Sequence, residues 1–282
     1  MGYNLSAVCR AIPLAIAAVI STVQSDTLFR LDGKVAAIVG AGSGIGEAVA
    51  EGAAALGATV ACLDSNESAA TAVSRRIGSG AAAALDIRDS RAVTAAFDEI
   101  VRQHGRFDVV VCTPAINVRK PILQFTEEDF DRVVTLNLKG NFHVLQAAGR
   151  LMTAARRGSI VFFSSIRGRV VEPRQSAYAM SKGGIVQLVR AAAAEFGPYN
   201  VRVNAVAPGI VDTPLTAQIK ADKDWYAAYA NKSVFKRWAQ PGEMVGPTLF
   251  LASDAASYVT GTVLFADGGW TAVDGRYSPP DM

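Results

Sequence analysis

The chain has 282 residues, half of them hydrophobic, with a net charge of +3, three cysteines and only two histidines. That length and apolar content suit one large α/β domain, and the low charge with no Lys/Arg-rich block argues against nucleic-acid binding. His104 and His143 are too few for a histidine-based metal centre or hydrolase triad. Cys9, Cys62 and Cys112 form no CxxC pair, so they read as reduced thiols of a cytoplasmic protein.

Residues 11–20 (AIPLAIAAVI) are an apolar run after Arg10, long enough for a signal-peptide core and short for a bilayer span. The preceding region is weakly basic and no convincing small-x-small site follows. Residues 1–26 are therefore expected to be an N-terminal extension that packs on the domain or is loosely ordered, with export the lesser reading and no membrane partner. From Leu31 the pattern becomes regular. Short apolar strands are expected at 35–39, 59–63, 81–85, 109–112, 159–163, 201–206 and 263–265, with helical patterns between them. Such alternation implies a doubly wound parallel sheet of about seven strands covered by helices on both faces. No linker or repeat divides residues 27–282, which read as one domain.

Gly40, Gly44 and Gly46 lie between the first strand and an Ala-rich helix. Glycines let the backbone turn tightly and approach a pyrophosphate, and the helix N-terminus offers free N–H groups and partial positive charge. Asp64 ends the second strand, where a carboxylate can bind ribose hydroxyls and repel a 2′-phosphate. Ser65 and Asn66 follow it with no adjacent cation, which favours NAD over NADP. The competing reading of Asp64 is a cap for the next helix.

Ser165 precedes Tyr178 by thirteen positions, and Lys182 follows it by four. The i,i+4 spacing puts Tyr178 and Lys182 on one helix face, where an ammonium would favour the phenolate and prepare it for acid–base work. An exposed surface pair is the competing reading.

Taken together and in this order, the motifs resemble those of the short-chain dehydrogenase/reductase family, from about Leu31 to Gly269. The resemblance implies a single-domain Rossmann fold and a catalytic set of Asn137, Ser165, Tyr178 and Lys182. Tyr178 would exchange the proton with the substrate oxygen, and Ser165 would hydrogen-bond that oxygen. Lys182 would lower the tyrosine pKa and hold the nicotinamide ribose, and Asn137 would support a water-linked proton path. Implied cofactor contacts are Gly40, Ser43, Gly44, Ile45, Gly46, Asp64, Asp86, Ile87, Tyr178, Lys182, Pro208, Gly209, Val211 and Thr213. The sequence departs from the family at Val39, where a threonine is usual, and at Cys112-Thr113-Pro114-Ala115, where Asn-Asn-Ala-Gly is usual.

The stretch 211–240 is expected to be a lid over the substrate, with Trp225 a candidate contact; an amphipathic helix packing its aromatics is the alternative. Arg167, Arg169 and Arg174, with Arg119 and Lys120, would make the pocket cationic if they converge, favouring an anionic substrate; solvent-facing or interface charge is the other reading. The family implies a homotetramer or homodimer, and the tail with Pro279 and Pro280 would cover a neighbouring subunit. The expected activity is NAD-dependent interconversion of a small secondary alcohol and a ketone. The alternatives are an NADPH-dependent 3-oxoacyl thioester reductase and a non-catalytic dinucleotide-binding regulator.

Overall fold

Seven strands, each short and apolar, line up in parallel: β1 (Val35–Val39), β2 (Thr59–Asp64), β3 (Ala82–Ala84), β4 (Val109–Cys112), β5 (Gly158–Phe163), β6 (Val201–Pro208) and β7 (Val263–Ala266). Their order across the sheet is β3-β2-β1-β4-β5-β6-β7. The computed structural model describes residues 27–78 and 80–273; the N-terminal extension, Cys9 and the proline-containing tail lie outside the described residues.

The strands alternate their side chains between two cores. Val35, Ala37 and Val39 of β1 enter one core, while Ala36 and Ile38 enter the other. The first core is closed by α3 (Ser90–His104), α5 (Asn141–Ala155) and α6 (Ser176–Phe196), through Phe97, Met152, Ile185 and Val189. The second is closed by α1 (Gly44–Ala55), α2 (Glu67–Ile77) and α9 (Val245–Ala252), through Val49, Val73 and Leu251. Truncating a fully buried side chain such as Ile38 or Phe97 to Ala would cost about 2–5 kcal/mol. Six of the seven strands match the expected segments closely. The exception is β3, three residues long at the sheet edge and flanked by further ladder bonds, Cys62 N to Ala81 O and Leu85 N to Asp64 O.

Helix boundaries follow from local chemistry. Asn66 caps α2 by accepting the Ala69 N–H, and Asp89 caps α3 by accepting those of Arg91 and Ala92. Gly78 and Gly105, at φ +64° and +69°, end the same two helices. After α4 (Glu127–Val134) the chain winds as a π-helix over Thr135–Gly140 before continuing as α5. The side-chain amide of Asn141 donates to the Asn137 carbonyl at 2.8 Å, which satisfies an oxygen within this wider turn. The expected lid stretch folds as two short helices, α7 (Ala217–Lys220) and α8 (Lys223–Lys232). It packs through Ile219, Tyr229 and Trp238 onto Ile166, Ile210 and Trp270 in a small third cluster. Among the described residues, no helix is long and apolar enough to cross a membrane.

Winding from β1 proceeds outward to β2 and β3, whereas β4 lies on the opposite side of β1. The crevice outside the carboxyl ends of β1 and β4 is therefore the topological switch point, where open parallel sheets bind ligands.

Candidate active site

The first turn at that crevice depends on glycine. Gly40 and Gly44 have φ values of +83° and +57°, a region disfavoured for L side chains. A Cβ on Gly46 would stand 2.0 Å from the Gly40 carbonyl oxygen, so α1 can approach β1 this closely only without a side chain there. The Ser43 side chain makes no capping bond, leaving N–H groups of the first turn of α1 available to an anion. Asp64 accepts the Gly42 N–H on one oxygen and the Asn66 N–H on the other, both at 2.9 Å. It thus props the glycine turn; the cap of α2 is Asn66, which replaces the capping role weighed for Asp64.

A cleft of about 620 Å³ runs from Asp64, Asp86 and Ile87 past Ser43 and Ile45 to Thr113 and Thr213. Asp86 is held by Arg88 through both carboxylate oxygens, at 2.6 to 3.0 Å. The glycine turn, the uncapped helix start and a carboxylate at the end of β2 fit a dinucleotide with its pyrophosphate at the turn. The departure at 112–115 has a local explanation. Thr113 donates its hydroxyl toward the Val39 carbonyl at 3.1 Å, with the Gly40 carbonyl at 3.4 Å, clamping the turn to β4. Cys112 is buried within β4, and burial pushes its thiol up to about 12.

The carboxyl end of β5 delivers Ser165, and the first turns of α6 deliver Tyr178 and Lys182. All three are buried and share one hollow with Pro208, Gly209 and Val211, which opens toward Ile45, Thr113 and Thr213. Lys182 Nζ donates to the Phe163 carbonyl at 2.7 Å and sits 5.6 Å from the centroid of the Tyr178 ring. The expected depression of the Tyr178 pKa is not what this protein environment produces. Burial raises it, against lowering contributions from the Ser165 hydrogen bond and from Arg119 and Arg167. Burial also lowers Lys182 to about 8, so the lysine is a weakened cation beside the phenol.

Asn137 is fully buried in the π-turn. Its Oδ1 accepts the Ile116 N–H at 2.9 Å, and its amide nitrogen donates to Ile116 O at 2.8 Å and to Ser181 Oγ at 3.2 Å. The side chain thus ties the loop after β4 to α6, one residue from Lys182.

On the far side of Tyr178 lies a second, smaller hollow of about 60 Å³, walled by Asn117, Arg119, Arg167, Gln175, Leu215 and Tyr229. The three arginines between Ser165 and Tyr178 do not converge there. Only Arg167 does; Arg169 is exposed with its guanidinium 5.4 Å from the Phe265 ring, and Arg174 is exposed in a left-handed turn. Arg167 is also not a free cation, because it pairs with Glu172, which further accepts from Tyr229 Oη and from Gln175 Nε2. Trp225 stands outside the hollow, edge-on to Tyr229 with centroids 6.2 Å apart and with the Arg119 guanidinium over its ring. Sequence reasoning did not single out Glu172, Gln175 or Asn117. Their signal was only the polar character of two loops, and the network exists because those loops meet.

Comparison with known proteins agrees with this geometry. A family described as enoyl-(acyl carrier protein) reductase matches residues 40–271. Galactitol 2-dehydrogenase (L-tagatose-forming) of Cereibacter sphaeroides is 37% identical over 87% of this chain and 98% of its own length. The 3-oxoacyl-[acyl-carrier-protein] reductase FabG of Thermotoga maritima is 38% identical over 85% of this chain and 98% of its own. Among solved structures, a gluconate 5-dehydrogenase from Burkholderia cenocepacia J2315 in complex with NADP and tartrate superposes with a TM-score of 0.85 at 33% identity, covering 88% of this chain and 99% of that one. The chain belongs to the short-chain dehydrogenase/reductase family: it is a Rossmann-fold oxidoreductase of the nicotinamide-dinucleotide class, and the relatives named as galactitol and gluconate dehydrogenases act on CH–OH groups of small molecules.

Proposed function

We propose that the protein is an NAD-dependent dehydrogenase that interconverts a small secondary alcohol and the corresponding ketone, with Tyr178 as the general acid/base. The observation that carries the reading is the shared burial of Ser165, Tyr178 and Lys182 in a hollow that opens onto the glycine-turn cleft. The nicotinamide, when bound, supplies the acceptor for the hydride. The chain's own residues handle the oxygen. Ser165 Oγ hydrogen-bonds the substrate hydroxyl, and Tyr178 Oη takes its proton as the carbonyl forms. Because burial raises the Tyr178 pKa, the phenol is the resting form near neutrality and suits proton donation during ketone reduction. Alcohol oxidation needs the phenolate and is expected to accelerate toward alkaline pH. Lys182 orients the cofactor ribose, and Asn137 braces the loop that faces it.

NAD is favoured over NADP by Asp64, whose carboxylate is fixed at the end of β2 by two backbone N–H groups where a 2′-phosphate would be repelled. The same feature weighs against the thioester reductase reading with NADPH, which the Thermotoga relative suggests. The test is reduced-nicotinamide absorbance with secondary alcohols and each dinucleotide, beside thermal shift. NAD should give both the larger shift and the turnover, and Tyr178→Phe should lower kcat roughly 10²-fold or more while NAD still binds. Stronger binding and turnover with NADP would overturn the cofactor assignment, and full activity in Tyr178→Phe would overturn the role of the phenol.

A further inference from the structure

The smaller hollow beyond Tyr178 is not chemically uniform. Its Arg167 side is internally compensated, since Glu172 supplies the opposite charge and also accepts from Tyr229 and Gln175. Arg119, on the other wall, makes no hydrogen bond or ion pair with any described residue. Its guanidinium carbon lies over the Trp225 ring, 5.3 Å from the centroid, a cation–π contact that uses none of its N–H donors. Beside it, Asn117 donates its amide to Gln175 Oε1 at 2.8 Å, while its own Oδ1 is buried with no hydrogen-bond partner.

We infer that this hollow is the recognition site for the non-reacting end of a short hydroxycarboxylate, with Arg119 taking the carboxylate. The inference rests on the dehydrogenase reading, because the reacting carbinol must then lie at Ser165 and Tyr178, which line the same hollow. It assigns the anion to Arg119 and withdraws it from Arg167, Arg169 and Arg174. A carboxylate matches the planar fork of a guanidinium through paired hydrogen bonds, and the small volume suits a substrate of few carbons.

The test uses two ligands with one carbon skeleton, threonate and threitol, which differ in a single carboxylate. Each is titrated calorimetrically into the full-length protein, alone and saturated with NADH, where an alcohol binds without reacting. Threonate should bind wild type roughly tenfold or more tightly than threitol, as a charge-assisted hydrogen bond predicts. Arg119→Gln should bring the two within about twofold by weakening threonate alone, and Arg119→Lys should restore part of the difference. Because Arg119 is partly exposed and makes no hydrogen bond or ion pair with a described residue, these substitutions should leave the fold intact, which unchanged far-UV circular dichroism and Tm check. Equal binding in wild type, absence of threonate binding, or a preference that survives Arg119→Gln would each overturn the assignment. Failure of the dehydrogenase reading shows separately, as failure of NADH to bind or as absence of turnover with NAD in a protein that still prefers threonate.

Discussion

Lysine 182 makes the energetic cost of the buried site measurable. Burial lowers its pKa from 10.5 to about 8, so below pH 8 the folded protein holds an ammonium it would rather not bury. A difference of about 2.5 units corresponds to a penalty of about 3 kcal/mol at low pH, relative to a neutral group at that position. The sign follows from proton counting. Between about pH 8 and 10.5 the unfolded chain binds the proton and the folded chain does not, so the contribution of Lys182 to stability rises with pH. Integrated from pH 6.5 to 9, the gain is roughly 1–2 kcal/mol, or a few degrees in Tm for a domain of this size. The thiols of Cys62 and Cys112, raised by burial to about 11 and about 12, act in the opposite sense once the unfolded thiols ionise near 9. The informative quantity is therefore the difference between wild type and Lys182→Met, which share those cysteines. Thermal and urea unfolding of both proteins across pH 6.5–9 should show the variant's advantage largest at low pH and shrinking by roughly 1–2 kcal/mol as the pH rises to 9. Parallel curves would refute the reasoning, because they would mean that Lys182 titrates alike in the folded and unfolded chains.

Two other substitutions probe the scaffold of the site. Thr113→Val removes the hydroxyl clamp on Val39 and Gly40, worth about 1 kcal/mol, and should raise the dinucleotide Kd several-fold by fluorescence titration while kcat at saturating cofactor holds; a fall in kcat with Kd unchanged would contradict the clamp. Glu172→Ala leaves Arg167 buried without its counter-charge and removes the acceptor for Tyr229 and Gln175, so a loss of about 2–4 kcal/mol in chemical unfolding is expected. Adding Arg167→Met should recover most of that loss, since the penalty lies in the stranded charge. A single variant as stable as wild type would show that water already satisfies the arginine.

Much of this protein is determined by short-range pattern. The seven strands are legible because parallel strands buried on both faces must be continuously apolar, and nothing else in the chain combines that run with flanking glycines and helical periodicity. The glycine turn is legible because Gly46 has no steric alternative, and Tyr178 and Lys182 because four residues make one helical turn. What the sequence cannot carry is the environment that long-range packing imposes on those groups. It places Lys182 next to Tyr178, yet only the folded core decides that both are desolvated, so the expected depression of the phenol becomes an elevation. It shows arginines clustered between Ser165 and Tyr178, yet a loop of a dozen residues can point them anywhere. Tertiary contacts bury Arg167 on Glu172, turn Arg169 and Arg174 outward, and bring Arg119 and Asn117 from the loop after β4, some fifty residues earlier, to the wall of the same hollow. Charge position is a property of the packed fold, because an ion's energy depends on what surrounds it in space and hardly at all on what precedes it in the chain.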